Sequence, residues 1–212
     1  MLVWPKSELG KLNIKPSAKA GEKIEKAYPE ITLDGLFDFL KERQDKLDAV
    51  VVSGGEPTIH ADLPEFITKI KVLGFKVKLD TNGTNPQMLK KLMAGKLIDY
   101  VAMDIKGALE RYDLITEIQP DLRLIKESVE SIMQSGLPYE FRTTVVPELV
   151  GKGDIEKIGE LIRGAEKWQL QNFKSDTDLV NFSFQGGGVY SLKEMEALQK
   201  IGQKFVKVCR IR

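Results

Sequence analysis

The residues of this chain best suited to chemistry stand where apolar runs stop. Val50, Val51 and Val52 lead into Ser53, Gly54, Gly55, Glu56, Pro57 and Thr58, the order of a buried parallel strand emptying into a turn. Two adjacent glycines remove Cβ atoms where the backbone must approach a ligand closely or take a positive φ, and Pro57 pushes Glu56 toward an extended conformation. Glu56 is then a fixed anionic acceptor beside bare peptide groups, which suits an amino group and repels a phosphate. Further polar groups share this pattern. Asp80 and Asn82 end one apolar run, Asp104 and Lys106 end the next, and Arg142 and Thr144 sit in YEFRTTVV. Each has a plainer reading: turn formation for Asp80 and Asn82, a surface ion pair for Asp104 with Lys106, and a Glu140 or Glu148 partner for Arg142.

The elements that must position these groups alternate. Thr32 caps a helix with Leu33, Leu36, Phe37 and Leu40 on one side. Asp62 with Glu65 has the pattern of a capping box for a helix burying Leu63, Phe66, Ile67, Ile70 and Leu73, which Gly74 stops. A strand over 75–79 comes next, then a helix begun by Asn85 and Pro86 and ended by Gly95. A strand is expected over 98–103, a helix over 122–135, and an alternating strand over 139–146. Ile155, Ile158, Leu161 and Ile162 mark another helix and 168–172 a short strand. Ser191 with Glu194 caps the last helix before a final strand over 206–211. Such alternation implies an α/β fold, a parallel sheet wrapped by helices, either open and doubly wound or closed or partly closed into a barrel. The polar groups lie at strand C-termini, where parallel α/β folds place their sites, so four neighbouring strands are expected to serve one rim. Residues 1–30, with prolines at 5, 16 and 29, read as an irregular, exposed lead-in, and residues 31–212 as the domain.

Composition narrows the classes. A chain of 212 residues with 42% hydrophobic content can bury a full core. Lys and Arg number 32 against 31 Asp and Glu, so no net field draws nucleic acid or an anionic membrane surface. No run is long enough to span a bilayer and no apolar signal core is present, so a cytoplasmic location is expected. The single cysteine, Cys209, excludes an internal disulfide and any site built from several cysteines of this chain. It reads as a small core side chain. His60, the only histidine, reads as a turn residue and not as a proton carrier.

Across residues 31–212 the motifs VVVSGGEPT, VKLDTNG, DYVAMDIK, YEFRTTVVP and WQLQNF, in that order, resemble those of radical S-adenosylmethionine (SAM) enzymes. The likeness is greatest to glycyl-radical activating enzymes and anaerobic ribonucleoside-triphosphate reductase activating proteins. The resemblance implies a partial (β/α)6 barrel of parallel strands. It implies that Gly54, Gly55, Glu56 and Pro57 hold the amino group of SAM, with Ser53, Asp80, Asn82 and Arg142 in the same pocket. Asp104 and Lys106 match the pair that contacts the ribose hydroxyls and the methionyl carboxylate. Glu56 and Lys106 then supply the two signs a zwitterionic tail needs, and Asp104 accepts hydroxyls. The implied cofactors are SAM and a four-iron, four-sulfur cluster, which together give a 5'-deoxyadenosyl radical. The implied partners are a glycyl-radical enzyme such as anaerobic ribonucleotide reductase and an electron donor such as flavodoxin or ferredoxin.

The family's Cys-x-x-x-Cys-x-x-Cys loop should precede the GGEP strand, and residues 1–53 contain no cysteine. Cys209 cannot replace three thiolates. The stretch MLVWP resembles the segment just downstream of that loop in the family, so the first βα unit and the loop are expected upstream of Met1, with the chain as written inactive. Ala49–Ser53 would then be an open, apolar sheet edge. Two other readings fit the residues: a cluster-free SAM-binding or protein-interaction module, and a barrel enzyme acting on a different small molecule.

Overall fold

A computed structural model describes residues 2–3, 11–14, 30–116, 119–173 and 188–212. The chain divides into two compact units, Met1–Thr81 with Gln87–Val101, and Asn82–Pro86 with Ala102–Arg212.

In the first unit the strands are β1 (Leu2–Val3), β2 (Lys11–Ile14), β3 (Glu30–Thr32), β4 (Ala49–Ser53) and β5 (Lys76–Thr81), in the sheet order β3-β2-β1-β4-β5. β4 and β5 pair in parallel from Ala49↔Lys76 to Val52↔Leu79. Helix α1 (Leu33–Lys41) starts as the sequence predicts, with the Gly35 amide donating to Thr32 Oγ1 at 3.1 Å. Helix α2 (Leu63–Val72) differs at its start. Asp62 is the N-cap but makes no side-chain cap hydrogen bond, its backbone being already helical (φ −87°, ψ 0°), so the expected capping box does not form. Helix α3 (Pro86–Ala94) begins at its proline. Leu36, Leu40, Val52, Leu63, Ile67, Ile70, Val77, Leu79, Leu89 and Leu92 are all buried, as their spacing requires.

The lead-in departs from expectation. β1 pairs with β4 in parallel, Leu2 beside Val52 and Val3 beside Ser53, and β2 and β3 extend the sheet in antiparallel register. The upper end of β4 therefore has a strand on each side, and the open edge expected there is filled. The physical reason is visible in the sequence: Leu2–Val3 and Lys11–Ile14 are proline-free pieces carrying apolar side chains, and an unpaired parallel strand recruits such pieces. The prolines at 5, 16 and 29 lie outside the described residues.

The second unit takes the end of β6 (Tyr100–Asp104), then α4 (Tyr112–Thr116), α5 (Leu122–Gln134), β7 (Tyr139–Val145), α6 (Lys152–Leu161), β8 (Lys167–Asn172), α7 (Leu192–Gly202) and β9 (Val208–Ile211). Its sheet order is β6-β7-β8-β9, with β7, β8 and β9 parallel. Trp168, fully buried, donates its indole N–H to Thr143 Oγ1 at 3.0 Å. A Cβ at Gly202 would lie 2.7 Å from Cys209 Sγ and 3.1 Å from the Trp168 ring, so α7 rests on that face of the sheet through a glycine. The Ser191–Glu194 capping box that opens α7 forms as predicted. Helix α4 and the 3-10 turn Leu109–Arg111 before it were not legible in the sequence.

Candidate functional site

In the first unit the chain leaves β4 through two glycines with positive φ, Gly54 at φ 108° and Gly55 at φ 53°. A side chain at either position would strain the turn, which is why the motif needs both. Glu56 then caps the 3-10 turn Pro57–Ile59 from an extended conformation. Its Oε1 accepts from the Thr58 amide (3.1 Å), the Thr58 hydroxyl (2.6 Å) and the Thr81 hydroxyl (2.8 Å). All three residues are buried, with Glu56 9% exposed. One carboxylate oxygen thus ties the turn to the end of β5. Thr58 lies in the turn the sequence singles out and Thr81 between Asp80 and Asn82, but that their hydroxyls share Glu56 Oε1 is seen only in the structure. Ser53 is half-buried at the end of β4, and Asp80 on β5 meets Lys78 Nζ at 2.5 Å. Burial lowers the pKa of the His60 imidazole against the opposing pull of Asp62 and Glu56. That keeps it neutral near pH 7, in keeping with a turn residue.

In the second unit three of the predicted residues meet. Asp104, the last residue of β6, accepts from Arg142 Nε on β7 at 2.7 Å through Oδ1 and from Lys106 Nζ at 2.9 Å through Oδ2. Burial alone would raise the Asp104 carboxyl. The charges of Lys106 and Arg142 and their hydrogen bonds outweigh it and hold the carboxyl below the usual carboxylate range. The Arg142 side chain is 11% exposed and that of Lys106 is 40% exposed, so the arginine is the fixed partner and the lysine the one able to turn outward. Arg142 thus has a carboxylate partner other than Glu140 and Glu148, which the plainer reading named.

The loop after β6 supports this group. The Tyr112 hydroxyl accepts from the Lys106 amide at 3.2 Å, and Arg111 joins Asp154 on α6 at 3.1 Å. Burial pushes the Tyr112 phenol up, so it stays protonated and neutral. Asn82 Oδ1 accepts from the Thr84 amide (2.9 Å) and hydroxyl (2.7 Å), an Asx turn of the kind its type suggests. Gly83 comes next at φ 78°, its carbonyl taking a hydrogen bond from Ser128 Oγ at 2.7 Å. Asn82, Thr84, Lys106, Tyr112, Ile115, Thr116 and Pro120 line a cavity of about 260 Å³. Only Asn82 and Lys106 of these were anticipated.

Comparison with known proteins decides the family. The model of the radical SAM superfamily matches residues 16–162. The chain belongs to the radical SAM superfamily. It is 33% identical over 193 residues to a protein of Methanocaldococcus jannaschii named for glycyl-radical enzyme activation, covering 89% of this chain and 75% of that one. It is 28% identical over 192 residues to the GTP 3',8-cyclase of Helicobacter pylori, covering 82% of this chain and 54% of the cyclase. Among solved structures, a domain of the pyruvate-formate lyase-activating enzyme from Bacteroides vulgatus superposes with a TM-score of 0.61 at 15% identity, over 77% of this chain and 98% of that domain. The fold is accordingly α/β, with parallel strands and surrounding helices, like that of this radical SAM neighbour.

A radical SAM protein generally uses SAM and an iron-sulfur cluster. The polar groups at the strand ends fit the first: an ionised carboxylate, a partly exposed ammonium and a cavity with polar and apolar lining residues are what a charged amino-acid tail and a ribose need. Cys209 is a different matter. It is 3% exposed on β9 and burial pushes its thiol up to about 12, whereas a cluster ligand must be a thiolate. Among the described residues no three His, Cys, Asp or Glu side chains converge as a metal site, and no helix is long and apolar enough to cross a membrane.

Proposed function

We propose that this radical SAM chain binds SAM and belongs with the activating proteins that install a glycyl radical on a partner enzyme, such as an anaerobic ribonucleotide reductase. Ser53, Gly54, Gly55, Glu56, Pro57, Asp80, Asn82, Asp104, Lys106 and Arg142 are its proposed contacts. The observation that carries the reading is the Asp104 cradle. A carboxylate held ionised by a buried guanidinium accepts hydroxyl hydrogen bonds at any physiological pH. Lys106, 2.9 Å away and partly exposed, can exchange that contact for the carboxylate of an incoming amino-acid tail. The identity to a protein named for glycyl-radical activation supports a protein substrate. A cytoplasmic location and a flavodoxin- or ferredoxin-type electron donor go with the same reading.

The residues of this chain do not fit the cluster. It takes three thiolates in the family pattern, and the sequence holds one buried cysteine. No radical step is therefore assigned to these residues; the second reading is a cluster-free SAM-binding or protein-interaction module. Isothermal titration of the purified chain with SAM, before and after anaerobic treatment with iron and sulfide, tests both. SAM should bind, Lys106→Met should weaken it by about 1.5 to 3 kcal/mol as loss of a charge-assisted hydrogen bond, and iron should stay well below four per chain. SAM binding unchanged in Lys106→Met would refute the site, and four irons per chain would refute the account of Cys209.

A further inference from the structure

Tyr112 is 3% exposed, and its hydroxyl makes only one of the two kinds of hydrogen bond a phenol can make. The oxygen accepts from the Lys106 amide at 3.2 Å, and among the described residues no acceptor takes the hydroxyl proton. A buried phenol ordinarily uses its O–H as a donor, since leaving that hydrogen unpaired costs free energy. Burial and the neighbouring Asp104 charge raise the phenol against the pull of the Lys106 amide, so the group keeps its proton at physiological pH.

The local chain holds this hydroxyl in place. The Thr116 hydroxyl donates to the Tyr112 carbonyl at 2.7 Å, and Arg111, one residue earlier, is joined to the buried Asp154 at 3.1 Å. Gly107 lets the loop fold back on itself: a Cβ there would meet Ile115 Cδ1 at 2.1 Å. Tyr112 lines the cavity of about 260 Å³ beside Lys106, the one charged residue among the described residues that line it. Asn82 and Thr84, on the same wall, are already joined to each other, the Thr84 hydroxyl donating to Asn82 Oδ1. A cavity that offers an ammonium and an unused O–H suits a negatively charged acceptor with two oxygens.

We infer that Tyr112 is a ligand-binding residue: its hydroxyl donates to the same carboxylate that Lys106 takes, and the pair recognises the carboxylate end of the ligand. The inference rests on the SAM reading and adds the group that tells SAM from a ligand without that carboxylate. Lys106, 40% exposed, supplies charge and can turn to water, whereas Tyr112, fixed by burial, supplies direction. A tail cut back to the amine would leave the O–H unpaired in the cavity, and such a loss is what lets a site reject an analogue.

The test is titration calorimetry on the whole chain with two ligands, SAM and its decarboxylated analogue, which keeps the ammonium, the sulfonium and the nucleoside. Wild type should prefer SAM. Tyr112→Phe keeps the ring and should lower SAM affinity about tenfold, the scale of a hydrogen bond to a charged group, with the analogue's affinity unchanged. Phe also removes the acceptor of the Lys106 amide, so the same substitution is made in the Lys106→Met chain, where SAM affinity should fall again. A loss confined to chains that keep Lys106 would mean that the phenol acts only through the lysine, and would overturn the inference. Equal weakening of both ligands, the mark of a phenol that merely holds the loop, would overturn it too. SAM affinity unchanged in Tyr112→Phe but reduced in Lys106→Met would overturn it and leave the SAM reading standing. Binding of neither ligand by wild type would refute the SAM reading and this role with it.

Discussion

Replacing Asp104 by asparagine keeps the shape of the cradle and removes its charge. Arg142, with a side chain 11% exposed, would then be a nearly buried cation facing a neutral amide, while Lys106, 40% exposed, could turn to water. Breaking a buried pair costs about 3 to 5 kcal/mol, and since Asp104 keeps 28% exposure the expected loss lies near the lower end, about 3 kcal/mol. The Lys106 half of the cradle contributes less than about 1 kcal/mol of that because solvent screens it. Arg142→Gln should cost about the same, and the double variant little more than either single one, giving a coupling of about 2.5 to 3 kcal/mol. Urea unfolding followed by the fluorescence of the buried Trp168 measures all four corners of the cycle. Acid provides a second readout. The folded carboxyl of Asp104 lies below its ordinary value of 3.8, so its stabilising contribution is complete above that value and is lost as pH falls through the lower, folded one. The wild type should therefore lose more stability than Asp104→Asn when the pH is taken from about 5 to below 3. A coupling under about 0.5 kcal/mol, or parallel acid curves for wild type and Asp104→Asn, would refute the reasoning.

Three other outcomes are expected. Glu56→Ala leaves the Thr58 and Thr81 donors without their acceptor in a buried turn and should cost about 2 to 4 kcal/mol, whereas Thr81→Val, which removes one of the three hydrogen bonds, should cost about 1 kcal/mol; equal losses in urea unfolding would deny Glu56 its role as a tie. Gly83→Ala puts a Cβ 2.1 Å from Met103 Cε at φ 78° and should destabilise by about 1 to 3 kcal/mol by the same assay, a neutral result showing that both the backbone and Met103 yield without strain. At pH 8 the Cys209 thiol, pushed up to about 12 from 9.0, should be alkylated by iodoacetamide about a thousandfold more slowly in the native chain than in urea, and comparable rates would place it at an accessible surface.

How much of this was legible depends on the range over which each signal acts. Helix starts with a local chemical cause, Thr32 for α1, Pro86 for α3 and Ser191 with Glu194 for α7, were read correctly because a cap involves residues three apart. Asp62 failed the same test because its backbone had already turned helical, which no side-chain pattern announces. The pairing of Leu2–Val3 with β4 was missed for another reason. A two-residue strand has no periodicity of its own, and the demand it satisfies arises some fifty positions away in Ala49–Ser53. The site showed the same division. Asp104, Lys106 and Arg142 were found by residue type at strand ends, but their partition into a fixed arginine and a mobile lysine came only from burial. The contacts of Thr58 and Thr81, and Tyr112 altogether, are not legible in the sequence because their importance lies in which polar atom they reach.

The two acidic residues at strand ends also show why charge type alone predicts a binding role poorly. Glu56 and Asp104 were both read as acceptors for a ligand, and each is already engaged within its own unit, Glu56 by two threonines and Asp104 by an arginine and a lysine. A ligand that meets such a group does not gain the full value of a new hydrogen bond, since it gains only the difference from the contact it displaces or shares. On the proposed reading Lys106 would exchange Oδ2 for the ligand's carboxylate, while Arg142 would stay on Oδ1 and keep the charge in place. For Glu56 the Oε1 contacts come from buried groups of the turn itself, and displacing them would undo the turn that the two glycines shape. The preorganised parts of the strand ends are therefore the Glu56 turn and the Arg142–Asp104 pair, and the adjustable part is Lys106. Substitutions at Lys106 should change ligand affinity with little change in stability, and substitutions at Glu56 or Arg142 should change both.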